Sequence, residues 1–273
     1  MNNIILDDNN QLNTANTNQN QESWNNETYQ AWINRFGEPH EVSQRMLKDP
    51  VKMLSHLSSK FIDVNGKKIM NLMGSNGTKA VSLAIMGATV SVVDFSEGNK
   101  RYALELAKEA NVDITYILSD VLQLSDQYIT GDYDIVFAEM GILHYFTDLK
   151  PFMDLIYRLL KTGGLFIIRD FHPVTTKLIS SRGTTAKIRK HKVTGDYFDT
   201  SLVETDVAYT KYLDGSEETH KVLLRHWNLG EVITSIASSG LIIKTLEEEQ
   251  NLSSEVFDKG IPKTFTVTAV KYF

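Results

Sequence analysis

The sequence contains no cysteine, which excludes disulfides, thiolate metal sites and cysteine nucleophiles, including the thiol attack used on cytosine C6. It lacks any run of 18 or more apolar residues, and its N-terminus has no basic-then-apolar layout of a signal peptide. Such a chain is expected in the cytoplasm, with no membrane partner. Positive charge is in deficit: 28 Lys and Arg stand against 34 Asp and Glu, a formal net charge of −6. There is no global basic field to gather phosphate backbones, so nucleic acid is not expected as a partner. The short basic run Lys187-Ile188-Arg189-Lys190-His191-Lys192 reads as a solvated loop. What is present is ordinary: 42% hydrophobic and 23% charged residues over 273 positions, enough for one large core and a smaller appendage.

Residues 1–21 are crowded with Asn, Gln and Thr and hold too few apolar side chains to offset chain entropy, which predicts a disordered tail. Residues 22–60 read as a helical cap. Tyr29, Trp32, Ile33 and Phe36 recur at i, i+3, i+4 and i+7, one helix face that Gly37 and Pro39 end. A second helical stretch runs through Val42, Met46 and Leu47, and Asp49-Pro50 pairs an N-cap with proline at the first helical position.

Residues 61–171 alternate strand and helix. The pattern predicts strands at Ile69–Leu72, Thr89–Val93, Ile114–Leu118, Asp134–Ala138 and Leu165–Arg169, with helices at Thr78–Met86, after Ser96, and at Leu149–Leu160, the last stopped by Thr162-Gly163-Gly164. This alternation implies a doubly wound, mostly parallel α/β sheet with its ligand at the strand carboxyl ends. Residues 172–227 break the rhythm. Val203–Tyr212 and His220–Trp227 flank the turn-forming Leu213-Asp214-Gly215-Ser216, an inserted antiparallel hairpin that reads as a substrate-side lid or dimer arm. Residues 228–273 open on a capping box at Asn228 and Glu231, then add strands Leu241–Leu246 and Phe265–Tyr272 to complete the core sheet.

The first strand breaks at Asn71-Leu72-Met73-Gly74-Ser75-Asn76-Gly77, opens a helix, and returns as a second strand ending on Asp94. Small residues in such a turn let the backbone approach a ligand and leave helix N–H groups pointing at it. A carboxylate roughly twenty residues on can accept two hydrogen bonds from a ribose diol. A nicotinamide-dependent oxidoreductase would share this unit, but its Gly-x-Gly-x-x-Gly spacing is absent.

Residues from about 60 to 171, and again from 227 to 273, resemble the class I, Rossmann-like S-adenosylmethionine-dependent methyltransferases of the small-molecule type. The resemblance implies a seven-stranded sheet closed by a late hairpin with the last strand antiparallel, and S-adenosylmethionine as cofactor. The family's acidic-x-Gly-x-Gly-x-Gly motif falls on Asn71–Gly77, with Asn71 where the acid that contacts the cofactor's amino-acid end usually sits. Met73 and Ser75 replace two glycines, and Gly74 is expected to supply some of the lost backbone freedom.

The same resemblance assigns cofactor contacts to Asn71, Met73, Gly74, Ser75, Asn76 and Gly77, ribose to Asp94 with Phe95, adenine to Asp120-Val121, and the methionine moiety to Glu139-Met140 and the loop onward to Phe146. No metal is implied. Trp24–Phe36 resembles the cap that many small-molecule methyltransferases lay over the cofactor; its aromatics are expected mainly in core packing, with Tyr29 and Arg35 on the substrate side. Where adenine-N6 enzymes carry Asn/Asp-Pro-Pro-aromatic, this chain has Glu139-Met140-Gly141-Ile142.

Methyl transfer from a sulfonium is an in-line displacement that needs a general base only for an acceptor protonated at working pH. His144 and His172 follow strands whose carboxyl ends face the ligand, so each is a candidate base, and each reads equally well as a hydrogen-bonded loop histidine. Tyr145, Tyr197 and His226 are candidates for shaping the acceptor site. The expected protein is a methyltransferase for a small organic acceptor, monomeric or homodimeric. Its eroded glycine motif keeps open a non-catalytic cofactor- or partner-binding domain on the same fold.

Overall fold

The computed structural model describes Trp24 and residues 27–182, 190–213, 221–250 and 260–273. Three helices come first: α1 (Thr28–Phe36), α2 (Pro39–Lys48) and α3 (Pro50–Leu54). The alternating core follows as β1 (Lys68–Leu72), α4 (Thr78–Ile85), β2 (Thr89–Asp94), α5 (Glu97–Glu109), β3 (Thr115–Leu118), β4 (Tyr133–Glu139), α6 (Lys150–Leu159) and β5 (Leu160–Phe171). After it come β6 (Ile179–Arg182), β7 (Lys190–Val193), β8 (Leu202–Asp206), β9 (Lys221–Arg225), α7 (Leu229–Ser238), β10 (Ile242–Gln250) and β11 (Pro262–Val270).

Local signals set the helix ends. Gly37 takes φ 101° after α1 and donates its N–H to Ile33 O, a conformation that favours glycine. Asp49 Oδ1 accepts from Lys52 N at 3.0 Å, Ser96 Oγ accepts from Asn99 N at 3.3 Å, and the Asn228/Glu231 capping box closes both ways.

The seven-stranded sheet runs β10-β11-β5-β4-β1-β2-β3. β1 pairs in parallel with β2 and β4, β2 with β3, and β4 with β5; β11 is antiparallel to both β5 and β10. Because β1 is flanked by β2 on one side and β4 on the other, the winding reverses there and a crevice opens at the strand carboxyl ends. Register places Leu72 beside Val93 and Asp94 beside Leu118, so the β1 turn, Asp94 and the β3 exit share that edge. Strands buried on both faces are largely apolar: Ile69, Met70, Leu72, Val92, Val93, Val136 and Phe137 have no exposed surface. The outermost strand, β10, carries Glu247, Glu248 and Glu249, charges that discourage edge pairing.

Two features differ from the expected layout. β5 begins at Leu160, so Thr162-Gly163-Gly164 lies inside the strand as an irregularity: Gly163 takes φ 77°, the register against β4 shifts between Tyr133 and Ile135, and Gly163 N–H donates to Lys271 O at 2.7 Å and Lys271 N–H to Gly164 O at 3.1 Å. The insert holds two antiparallel pairs: β8 with β9, where β8 stops at Asp206 and Thr210–Tyr212 forms a helical turn instead of continuing the expected Val203–Tyr212 strand, and β6 with β7, which takes in Lys190–Lys192 of the basic run. Residues 1–21, 187–189 and the turn residues Asp214–Ser216 lie outside the described residues. Among the described residues, no helix is long and apolar enough to cross a membrane.

Candidate functional site

The turn leaving β1 holds three residues in the left-handed region: Met73 (φ 49°), Ser75 (φ 49°) and Gly77 (φ 71°). These are the three positions the motif reserves for glycine. Gly74 is not among them. A Cβ there would lie 2.6 Å from both Asn71 Oδ1 and Val92 Cγ1, so Gly74 is required by close packing and does not supply the freedom lost at Met73 and Ser75. The strained turn is pinned on three sides: Ser75 N–H donates to Asp94 Oδ2 at 3.0 Å, Tyr116 Oη donates to Ser75 O at 2.7 Å, and Gly74 N–H donates to Val93 O at 3.2 Å.

Asp94 closes β2 with its carboxylate nearly buried. Oδ1 accepts from Ser96 N at 2.9 Å and Asn99 Nδ2 at 3.0 Å. Desolvation raises its pKa, against hydrogen bonds from Ser96, Asn99, Ser75 and Phe95 that favour the anion. Asp120, beyond β3, is likewise raised by desolvation and gives one oxygen to Leu122 N–H at 3.0 Å. Neither acid has a cationic partner among the described residues, and both line one cavity of about 520 Å³. Acids left without cations, facing a roomy cavity, suit hydroxyl and amine donors on a ligand.

That cavity brings together Met73, Ser75, Asn76, Asp94, Phe95, Asp120, Val121, Glu139 and Met140 with Arg35 and Tyr145 of the substrate-side candidates. Its roof is aromatic, with Trp24, Trp32 and Phe36 from the cap, Phe171 from β5 and Tyr212 from the insert. The roof is tied to the floor. Trp32 Nε1 donates to Asn99 Oδ1 at 2.6 Å, and Asn99 passes the link to Asp94; Trp24 Nε1 donates to Tyr145 Oη at 3.0 Å.

The remaining candidates fall elsewhere. Asn71 and Gly74 line a neighbouring cavity of about 510 Å³, and Gly77 packs against α5, where an added Cβ would meet Ala103 Cβ at 2.4 Å. Tyr29 Oη donates to Glu105 at 2.5 Å under the Arg101 guanidinium, and burial and Glu105 push its pKa up to about 12. His172 is buried, 2.7 Å from Glu248 Oε1, with its Nδ1 accepting from Val174 N–H. Tyr197 Oη accepts from Leu229 N–H at 3.2 Å. His144 and His226 meet edge to face at 4.9 Å, behind the cavity-lining Phe171, which stacks 6.4 Å from His144. Burial first, then His144 and Lys177, drives His226 down to about 4.

Trp32, Phe36 and Tyr212 escaped sequence reasoning as site residues because an aromatic at helical spacing carries the same signal whether it faces a core or a cavity. Asn99 and Lys79 also reach the site from helices, and no local pattern marks them.

The sheet order, the left-handed β1 turn and the acids after β2 and β3 are similar to those of class I S-adenosylmethionine-dependent methyltransferase domains, and the donor set described above fits that cofactor. Residues 73–168 match the family model for a methyltransferase domain. The chain is 23% identical over 141 residues to a ubiquinone biosynthesis O-methyltransferase of Rickettsia bellii, covering 50% of this chain and 56% of that one. It is 29% identical over 117 residues to a demethylmenaquinone methyltransferase of Clavibacter sepedonicus, covering 42% and 46%. The chain thus spans about half the length of the curated relatives it matches. In fold it is similar to the crystal structure of a putative S-adenosylmethionine-dependent methyltransferase from Listeria monocytogenes, with TM-score 0.62 and 21% identity over 80% of this chain and 97% of that one.

Proposed function

We propose that the protein transfers a methyl group from S-adenosylmethionine to a small organic acceptor held beneath the aromatic roof. The observation that carries this reading is the single cavity in which Asp94, Asp120 and the β1 turn face Trp32, Phe36, Tyr145, Phe171 and Tyr212. When bound, the cofactor supplies an electrophilic methyl group on a sulfonium. The protein's part is positioning and the exclusion of water. Asp94 and Asp120 hold the nucleoside, and the roof covers an apolar, planar acceptor. Names given to the relatives, for quinone-pathway enzymes, agree with such an acceptor.

Burial pushes Tyr145 up to about 12, although the Trp24 hydrogen bond opposes the rise, so at neutral pH it is a phenol able to donate to the acceptor. Of the two histidines read as candidate bases, His144 keeps a buried Nε2 with no hydrogen-bond partner among the described residues, but it stands behind Phe171 and would reach the acceptor only with that ring moved aside. His172, committed to Glu248 and Val174, is assigned a structural part.

A thermal-shift comparison tests the reading. S-adenosylhomocysteine at about 100 times its Kd adds about 2.7 kcal/mol, or roughly 5–10 °C in Tm for a domain of this size, whereas NAD adds none. No shift with millimolar S-adenosylhomocysteine refutes it. Methyl transfer is then read by incubating the protein and S-adenosylmethionine with a panel of phenols, hydroquinones and amines; binding without turnover of any of them favours a non-catalytic domain.

A further inference from the structure

Asn71 leaves a charge missing from the site. The side chain is 4% exposed, lines the second cavity, and makes one long hydrogen bond among the described residues, from Nδ2 to Leu72 O at 3.5 Å. That cavity shares Phe36, Met73, Ser75, Asn76, Glu139 and Met140 with the first, so the two form one continuous cleft.

Within it stands an ion pair that the nucleoside site does not use. Lys79 Nζ, from α4, lies 2.9 Å from Glu139 Oε2 at the end of β4, with side chains only 23% and 11% exposed. Arg169 fixes the other oxygen: its Nη1 is 3.5 Å from Glu139 Oε1, while Nη2 is held by Glu249 at 2.7 Å and Thr264 at 3.1 Å. Arg169 is thereby committed, but among the described residues Lys79 has only Glu139 and, at 3.4 Å, Met53 O. Burial and the nearby Arg169 push Lys79 down to about 8 even so, the mark of a cation short of compensating charge. Arg45 and Lys52 line the same cavity, where Glu139 is the single carboxylate among the described lining residues.

We propose that Glu139 and Lys79 together read the zwitterionic end of the cofactor, Glu139 taking its ammonium and Lys79 its carboxylate, in place of the acid that Asn71 lacks. The proposal rests on the methyltransferase reading. Its physical sense is an exchange: one internal ion pair opens and two charge-assisted contacts form, each stronger than a neutral hydrogen bond. The cation excess makes the carboxylate, as well as the ammonium, a requirement for tight binding.

Isothermal titration of the full chain tests this with four ligands: S-adenosylhomocysteine, 5′-methylthioadenosine, which lacks the amino-acid end, S-adenosylmethionine, and decarboxylated S-adenosylmethionine, which lacks only the carboxylate. The wild-type protein should favour S-adenosylhomocysteine over 5′-methylthioadenosine, and S-adenosylmethionine over its decarboxylated form, each by about tenfold or more. Glu139→Gln and Lys79→Met should shrink the first preference to within about threefold while leaving 5′-methylthioadenosine affinity intact, and Asn71→Asp should restore it in the Glu139→Gln background. An undiminished preference in both variants overturns the proposal, as does a wild-type protein indifferent to the carboxylate, a comparison that needs no variant to fold. If the wild-type protein binds none of these ligands, the methyltransferase reading falls first and the proposal with it.

Discussion

Ser75→Gly should stabilise the protein, and Gly74→Ala should destabilise it. Ser75 sits at φ 49°, where an L-residue costs roughly 1–2 kcal/mol because Cβ crowds the following carbonyl. Glycine removes that crowding but gives up roughly 0.5–1 kcal/mol in chain entropy. The native contacts of Ser75 are through its backbone, to Asp94 and Tyr116, and survive the change. The net gain is about 0.5–1 kcal/mol, a rise of roughly 1–4 °C in Tm. Gly74 is the opposite case: a Cβ 2.6 Å from Asn71 Oδ1 and from Val92 Cγ1 forces buried neighbours apart, at about 1–3 kcal/mol. Met73→Gly would be less clean, because the Met73 side chain packs on the main core cluster. Differential scanning calorimetry of both variants settles the matter. A Tm that falls for Ser75→Gly, or holds for Gly74→Ala, refutes the assignment of strain to Ser75 and of close packing to Gly74.

Two further outcomes follow from the buried polar network. Asn99→Ala should cost about 1–3 kcal/mol in urea unfolding, since it leaves Trp32 Nε1 without its acceptor and takes one of two hydrogen bonds from Asp94 Oδ1; a loss under about 1 kcal/mol would mean water replaces the amide. His226 is held near 4 in the fold against about 6.5 unfolded, so the unfolded chain binds the extra proton between those values. Its contribution is therefore present above pH 6.5 and lost as pH falls toward 4; Tm measured from pH 7 to 4.5 should drop less steeply in His226→Gln, and parallel curves would refute the shift.

Periodicity made the core legible before any coordinates. Short apolar runs alternating with helical segments read as central strands of a mostly parallel sheet, and the caps at Asp49, Ser96 and Asn228 are local hydrogen-bonding patterns written within four residues. Asp94 was legible from its spacing after the β1 turn, whereas Asp120 stood out only through the family resemblance. The glycine motif was read correctly as a turn and wrongly in its particulars: Gly74 is spared strain because neighbouring side chains, not its own φ, demand a missing Cβ.

The sequence by itself determined the alternating sheet, the site's edge and Asp94 upon it, because these follow from local periodicity and from the spacing within single βαβ units. Tertiary structure decided the rest. Trp32 meets Asn99 from 67 residues away, and Tyr212 joins the roof from an insert whose strands carry no signal of where they dock. It also drew His172 to Glu248 on the sheet edge and set Lys79 against Glu139 inside the cleft. Whether a histidine or lysine meets a ligand or a neighbouring carboxylate turns on distances of a few ångströms between distant segments, which no local pattern encodes.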